Sequence, residues 1–177
     1  MVGLMIILCE IGFWLFVAAG LFARYAMRKP QLGALLLFCT ILVDIALLIF
    51  VFIDLKNGAI ANTFHGLAAV YIGVSIAFGK QMIAWADKHF AYRFANGEKP
   101  VKAKKYGKEY AKIERQGWYR HCLAWMIGSS ILGFIILYIH NFEQTMSLLR
   151  TLGGWTIVLF IDFLISFSYT IFPKKQI

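Results

Sequence analysis

The sequence predicts an all-α integral membrane protein with five transmembrane helices, and its composition and hydropathy pattern are the main reasons. Of the 177 residues, 60% are hydrophobic and 15% are charged, and the mean hydropathy is +0.70. A soluble domain is nearer half apolar and a quarter charged. Five continuous apolar stretches approach or reach the roughly 20 residues that a helix needs to cross a bilayer. Because these stretches do not alternate polar and apolar residues, they argue against a membrane β-barrel. We therefore expect residues 1–177 to form a single integral membrane domain.

Residues that favour turns separate the five predicted spans. Pro30 suits a short turn after the first span, because proline has no backbone N–H to donate inside a helix. Asn57-Gly58 is typical of a turn and follows the second span. Residues 141–151 are predicted to form a loop before the fifth span, which Pro173 ends. The spans themselves are predicted at residues 3–23, 32–53, 59–78, 122–139 and 152–172.

The distribution of basic residues predicts how the helices are oriented. Sixteen of the eighteen Lys and Arg residues lie on one side of the five-span pattern, and only Lys56 and Arg150 lie on the other. Lys and Arg accumulate in the cytoplasmic loops of membrane proteins. We therefore predict that the N-terminus is outside and the C-terminus inside. No basic residue precedes the first span, which predicts an anchor rather than a cleaved signal peptide.

Residues 79–120, between the third and fourth spans, are predicted to form a basic cytoplasmic hairpin. This segment holds eleven of the Lys and Arg residues. Apolar residues at helical spacing predict that the third helix continues beyond the membrane. Asn96-Gly97 and Pro100 predict the end of that helix. A second amphipathic stretch, from Tyr106 onward, predicts that the fourth helix begins in the cytoplasm as well.

Two stretches of the central region resemble a known family. One reads HGLAAVYIGVSIAFGKQMIAWADKHFAYRFANG at residues 65–97, and the other reads WYRHCLAW at residues 118–125. Both resemble small bacterial integral membrane proteins of the YmcC-like type, and the resemblance covers roughly the middle half of the chain. It implies a multi-pass protein of the bacterial cytoplasmic (inner) membrane. It transfers no catalytic residue.

Composition and motifs argue against several classes of protein. The net charge of +9 could indicate a protein that binds nucleic acid. The positive-inside bias and attraction to anionic lipid explain the charge without such a partner, so no nucleic-acid partner is expected. Cys9, Cys39 and Cys122 lie in or beside apolar stretches without metal-ligand spacing, which predicts neither disulfides nor a metal site. Walker, GxSxG, HExxH and GxGxxG motifs are missing from the sequence. We therefore expect no enzyme, no catalytic residue and no cofactor.

Four ionisable residues fall within the predicted spans, where a charge is unfavourable and its presence suggests a function. Counted from the span ends at 1.5 Å per residue, all four lie between the outer surface and the midplane. One hypothesis is an outward-opening polar cavity that binds a cation or relays protons. In this hypothesis the two aspartates share one site, and at least one of them is protonated. The alternatives are separate helix–helix contacts, or two of the residues reaching the outer surface. The four residues are Glu10, Asp44, His65 and Asp162.

The histidines permit a more remote alternative, a membrane protein that holds two haems. His65 and His140 are predicted near one end of the third and fourth spans, and His89 and His121 near the other. Paired imidazoles can ligate haem iron. Against this alternative, only two helices would supply all four ligands. Small residues on both spans also favour packing that is too close for a macrocycle.

The function that the sequence favours is a binding or accessory role in the membrane, through anionic lipid, a partner protein or a second copy of the chain. The hairpin is predicted to rest on the anionic inner leaflet, where each Lys or Arg contributes about 1 kcal/mol of binding. The alternative is a small ion- or proton-coupled transporter that uses the acidic residues of the outer half. The candidate headgroup-binding residues are Arg93, Lys102, Lys104, Lys105 and Lys108.

Overall fold

Five long α-helices form the protein in the computed structural model, which describes residues 2–94, 98–100 and 106–173. Within these ranges the side chains of residues 2, 3, 6, 10, 41, 44 and 94 are not described. All five helices are long and apolar enough to cross a membrane, and the described ranges contain no strand. The all-α, five-helix prediction is therefore confirmed. The helices are α1 (Val2–Tyr25), α2 (Pro30–Lys56), α3 (Thr63–Phe94), α4 (Gly107–Ile139) and α5 (Phe142–Ile171).

Helix α5 begins about ten residues earlier than the sequence predicts, so the prediction of a loop over residues 141–151 is wrong. The Asn141 side chain caps the helix by accepting a hydrogen bond from the backbone N–H of Gln144 at 3.1 Å. Such a cap satisfies one of the free N–H groups in the first turn. His140 has a φ of 53°, a left-handed conformation that ends α4. The chain therefore reverses within two residues, and the polar residues that suggested a loop form the first turns of α5.

Helices α3 and α4 are considerably longer than a bilayer requires. They contain 32 and 33 residues. At 1.5 Å per residue each is about 50 Å long, against about 30 Å for the hydrocarbon core. This extra length agrees with the predicted continuation of the third and fourth helices beyond the membrane. Most of the predicted hairpin tip, at residues 95–97 and 101–105, lies outside the described residues. The N-outside orientation and the cytoplasmic side of the hairpin stay predictions.

Helix α3 is the central helix and contacts each of the other four. It packs against α4 and α5 through small residues, since Gly66 faces Thr151 and Gly73 faces the backbone of Ala124. A side chain in place of either glycine would overlap its neighbour, which is how small residues let membrane helices approach closely. Helices α3 and α4 are therefore closely paired.

Helices α1 and α2 form a hairpin that packs beside this bundle. A Cβ atom at Gly33 would stand 2.6 Å from the carbonyl oxygen of Gly20, so the two helices are also in close contact. Phe13 packs edge-on against an aromatic ring of α3. Arg24 Nη1 lies 3.6 Å from Asp87 Oδ1, also in α3. The α1–α2 hairpin is therefore fastened to the central helix at two levels.

Large apolar side chains cover the outside of the bundle. Leu15, Phe134 and Ile157 are more than 60% exposed. Contact between so many large apolar side chains and water is unfavourable, so this surface is suited to lipid. The buried core is correspondingly small. It consists mainly of Leu47, Val51, Leu55, Ala61, Ala68, Ala69, Leu132, Ile135 and Leu148.

Candidate functional site

The carboxylate of Asp162 in α5 pairs with His121 in α4. His121 Nδ1 lies 2.8 Å from Asp162 Oδ2. The hydroxyl of Ser166, one turn further along α5, donates to Asp162 Oδ1 at 3.3 Å. The side chains of His121 and Asp162 are 18% and 34% exposed. Both carboxylate oxygens therefore accept hydrogen bonds within the bundle, which offsets the cost of removing the carboxylate from water.

The other ring nitrogen of His121 accepts a hydrogen bond from Trp155. Trp155 Nε1 lies 3.0 Å from His121 Nε2, and an indole N–H can only donate. His121 Nε2 is therefore unprotonated. The ring proton of the neutral imidazole then lies on Nδ1, where it faces Asp162. The indole and the carboxylate together select one tautomer of His121.

Trp155 fills a notch where three helices meet. The residue is 8% exposed, and its ring lies directly against Gly128 of α4. A Cβ atom at Gly73 of α3 would stand 3.2 Å from Trp155 Cη2. The hydrogen bond from Trp155 to His121 therefore lies at the junction of α3, α4 and α5.

A second histidine–carboxylate pair lies at the end of the bundle where α2 ends and α3 begins. His65 Nε2 lies 3.1 Å from Asp54 Oδ2, and the His65 ring is only 2% exposed. His65 Nδ1 lies 2.8 Å from Asn62 Oδ1 and 3.2 Å from the Asn62 backbone nitrogen. Nδ1 can therefore donate to the amide oxygen or accept from the backbone N–H. Nε2 must carry a proton to donate to the Asp54 carboxylate, so the tautomer protonated on Nε2 and the doubly protonated ring both find partners here.

Gln144, in the first turn of α5, anchors the turn that joins α2 to α3. Its side-chain amide donates hydrogen bonds of 2.8 Å to the backbone carbonyls of both Leu55 and Ala59. Its own backbone carbonyl accepts from the N–H of Ala61 at 2.9 Å. The turn beside the His65–Asp54 pair is thus fixed to α5.

Gln144→Glu should loosen this anchor, because a carboxylate of the same shape cannot donate to the Leu55 and Ala59 carbonyls. Loss of two hydrogen bonds should lower the free energy of unfolding by about 2 kcal/mol at pH 7. At pH 4 part of the loss should be recovered, since a protonated carboxyl group donates one bond. Thermal unfolding in detergent at both pH values measures this effect. The exposed neighbour variant Glu143→Gln is the matched control, and equal unfolding midpoints for the two variants at pH 7 would contradict the anchor.

The structure does not bring His65 and Asp162 together. His65 lies in the first turn of α3, whereas Asp162 lies about twenty residues, or roughly 30 Å, into α5. The prediction that both lie in one outer layer is wrong, because it counted the depth of Asp162 from residue 152 and α5 begins at Phe142. The side chains of Glu10 and Asp44 lie outside the described residues. A site shared by Asp44 and Asp162 therefore stays a prediction.

The geometry does not support the paired-histidine haem alternative. Both ring nitrogens of His65 and of His121 contact protein groups rather than another histidine. His89 Nδ1 lies 2.8 Å from the backbone carbonyl of Trp85 on its own helix. Among the described residues, no group of three or more His, Cys, Asp or Glu side chains is placed to hold a metal ion.

Of the predicted headgroup-binding residues, the structure describes two. Arg93 lies at the end of α3 and Lys108 at the beginning of α4, and both side chains are exposed. Lys102, Lys104 and Lys105 lie outside the described residues. On the same two helices, Trp85 and Tyr119 are 64% and 57% exposed, as is typical of aromatic residues at a membrane–water interface.

A close relative places the chain in a family. A protein of Bacillus subtilis (strain 168), named as the uncharacterized membrane protein YmcC, is 46% identical over 173 residues, which cover 97% of this chain and 92% of the relative. The chain belongs to the YmcC family. The resemblance predicted from residues 65–97 and 118–125 is therefore confirmed and extends over nearly the whole chain. No family model and no solved structure matches the chain.

In this member of the YmcC family, the sequence does not predict most of the side chains that contact His65 and His121. The predicted second span ends one residue before Asp54, although Asp54 is only eleven positions from His65 across a tight turn. This short separation along the chain is the sequence feature that indicates a contact between Asp54 and His65. Trp155 and His121 are 34 positions apart on different helices, and no local pattern indicates their contact. The role of Gln144 likewise depends on contacts between elements, whereas Asn62 contacts His65 only three positions away.

Proposed function

We propose that this YmcC-family protein is a multi-pass protein of the bacterial inner membrane whose role is binding, and that it binds anionic phospholipid of the inner leaflet. The observation that supports this proposal most is the surplus length of α3 and α4. Each helix has about a dozen residues more than a bilayer requires. We call residues 80–94 of α3 and 107–121 of α4 the basic extension.

The basic extension presents several exposed cations. An anionic leaflet attracts such groups by about 1 kcal/mol each, and the attraction falls off within a Debye length. The one acid of α3 in this extension, Asp87, already lies beside Arg24 of α1. Its negative charge is therefore partly compensated and does not cancel the attraction to anionic lipid. The exposed cations of the described part are Lys80, Lys88, Arg93, Lys108 and Lys112.

Contacts between helices support a fixed position for the basic extension. Arg115 Nη1 lies 2.6 Å from the Thr170 hydroxyl, near the end of α5. Trp118 Nε1 donates to the Leu159 carbonyl at 3.4 Å, also in α5. Because α5 ends beside α4 in this way, the cations of α4 stand at the level where the apolar part of α5 stops. In this proposal, that is the level of the lipid headgroups.

The geometry favours binding over an ion- or proton-coupled transporter that uses one acidic cavity. Such a carrier requires its polar residues to converge, and His65 and Asp162 lie at different levels. Each also has its own hydrogen-bond partners, Asp54 for His65 and His121 for Asp162. A protein partner or a second copy of the chain is the other candidate occupant of the basic extension, and the following experiment separates it from lipid.

Replacing both Arg93 and Lys108 by Gln should reduce the preference of the protein for anionic lipid. Quenching of tryptophan fluorescence by brominated phospholipids measures that preference in bilayers. The association constant of brominated phosphatidylglycerol, relative to brominated phosphatidylcholine, should fall about 30-fold, because two cations of about 1 kcal/mol each are removed. High salt should lower the preference of the native protein in the same direction.

The matched control removes the same charge from the opposite end of the bundle. A variant with Lys56→Gln and Arg150→Gln should keep the phosphatidylglycerol preference of the native protein. If the Arg93 and Lys108 variant keeps it as well, the lipid proposal is wrong. Binding through the basic extension would then have to involve another protein.

A further inference from the structure

The buried His65 and the partly buried His121 differ in what faces their second ring nitrogen. At His65 both nitrogens face oxygen atoms, so a second proton finds an acceptor already in place. At His121 one nitrogen faces the carboxylate of Asp162 and the other faces the indole N–H of Trp155. A second proton on His121 would therefore point at another donor. A second proton therefore preserves the hydrogen bonds of His65 but removes the hydrogen bond between His121 and Trp155.

We propose that His121 is a proton-binding site and that the bound proton displaces the indole of Trp155. A proton taken up from water adds to the lone pair of Nε2, which changes from a hydrogen-bond acceptor into a donor. The 3.0 Å hydrogen bond from Trp155 is then lost, because two N–H groups face each other. The bond from Nδ1 to Asp162 remains and becomes an ion pair, which is stronger than the neutral bond.

Asp162 is the group that would pair with the protonated ring. It is the charged residue of α5 at His121, and its Oδ2 already lies 2.8 Å from Nδ1, within ion-pair distance. The thiol of Cys122, next to His121 in α4, is within electrostatic reach of Asp162. On the α3 side the notch is formed by Gly73, and the nearest cation along that helix, Lys80, is exposed. In the proposal a water molecule accepts the hydrogen bond from the new Nε2–H, since His121 is 18% exposed and lies where α4 leaves its apolar part.

Displacement of the indole would alter the packing of three helices. Trp155 lies directly against Gly128 and close to Gly73, so its ring cannot turn without changing contacts with α4 and α3. His121 also marks the point where α4 passes from its apolar part into the basic extension. The proposed site therefore makes the attachment of the basic extension to α5 depend on pH. This inference does not rest on the lipid-binding proposal.

Fluorine NMR of the full chain, labelled with 5-fluorotryptophan in neutral phosphatidylcholine nanodiscs, tests the proposal. The chain has five tryptophans, and Trp155→Phe identifies the signal of Trp155. We expect that signal to shift between pH 8 and pH 5 in the native protein. His121→Gln should abolish the shift, since glutamine does not titrate in this range. The exposed His140→Gln is the control and should preserve it.

Asp162→Asn is a second, independent variant, which also serves if His121→Gln does not fold. The asparagine oxygen still accepts from Nδ1–H but carries no charge, so the Trp155 signal should stay in its pH 8 position at pH 5. A Trp155 signal that does not change with pH in the native protein would overturn the proposal. A shift that persists in either variant would overturn it too.

Discussion

Gly128→Ala should lower the free energy of unfolding by up to about 3 kcal/mol, which is the upper range for overpacking a tight interface. The new methyl group would overlap the ring of Trp155 and would stand 3.0 Å from the carbonyl oxygen of Ala69 in α3. Neither neighbour can move freely, because one is wedged between three helices and the other is backbone. The cost should therefore exceed the gain of about 1 kcal/mol that alanine normally brings to a helix.

Gly133→Ala is the matched control, because Gly133 lies in the same helix and a Cβ atom there meets nothing within 4 Å. This variant should be neutral or slightly stabilised. Thermal unfolding of both variants in the same detergent measures the difference. Adding Trp155→Phe to Gly128→Ala should restore part of the loss, since the smaller ring vacates the overlap. Equal unfolding midpoints for the two alanine variants would show that α4 and Trp155 are not in close contact.

The close approach at Gly128 also determines where the polar groups of α4 lie. Trp155 can reach His121 only because its ring passes over a position without a side chain. A larger residue at Gly128 would separate α4 from α5 and lengthen both contacts of His121, to Trp155 and to Asp162. Destabilisation and loss of the proposed proton response should therefore occur together in Gly128→Ala. In Gly133→Ala both should be preserved.

The number and approximate place of the helices could be predicted from the sequence, because a bilayer imposes a length of about 20 apolar residues on each span. The same reasoning fails for α5. Its first ten residues include Glu143, Gln144 and Arg150, which are too polar for a span although they are helical. A capping residue, Asn141, begins the helix. Attention to that local signal, rather than to hydropathy alone, would have predicted the correct start.

Partners of the ionisable residues could not be predicted, because the sequence gives depth along a helix and not its rotation. An error of ten residues in the start of α5 moves Asp162 by roughly 15 Å along the helix, which is enough to exchange one set of neighbours for another. The contact between His121 and Asp162 joins residues 41 positions apart. It depends on the register of α4 against α5, which is fixed where Gly128 of α4 meets Trp155 of α5.

His65→Leu should lower the free energy of unfolding by about 2 to 4 kcal/mol, a little below the range for breaking a fully buried ion pair. Leucine keeps most of the buried volume, but it leaves the carboxylate of Asp54 without its donor. The Asp54 side chain is 34% exposed, so water compensates part of this loss. Asn62 also loses its contact with the ring. Thermal unfolding against His140→Asn, a change that tolerates the left-handed backbone of this exposed histidine at the same end of the bundle, measures the effect.

The double variant His65→Leu with Asp54→Leu distinguishes a lost pair from a simple packing defect. Removing both partners of a polar contact is far less unfavourable than leaving one of them unpaired. The loss in the double variant should therefore be smaller than the sum of the losses in His65→Leu and Asp54→Leu, by a coupling of about 1 to 2 kcal/mol. Additive losses would mean that Asp54 and His65 do not interact. In that case the end of the bundle would be held mainly by the hydrogen bonds of Gln144, and Gln144→Glu should become the more damaging change.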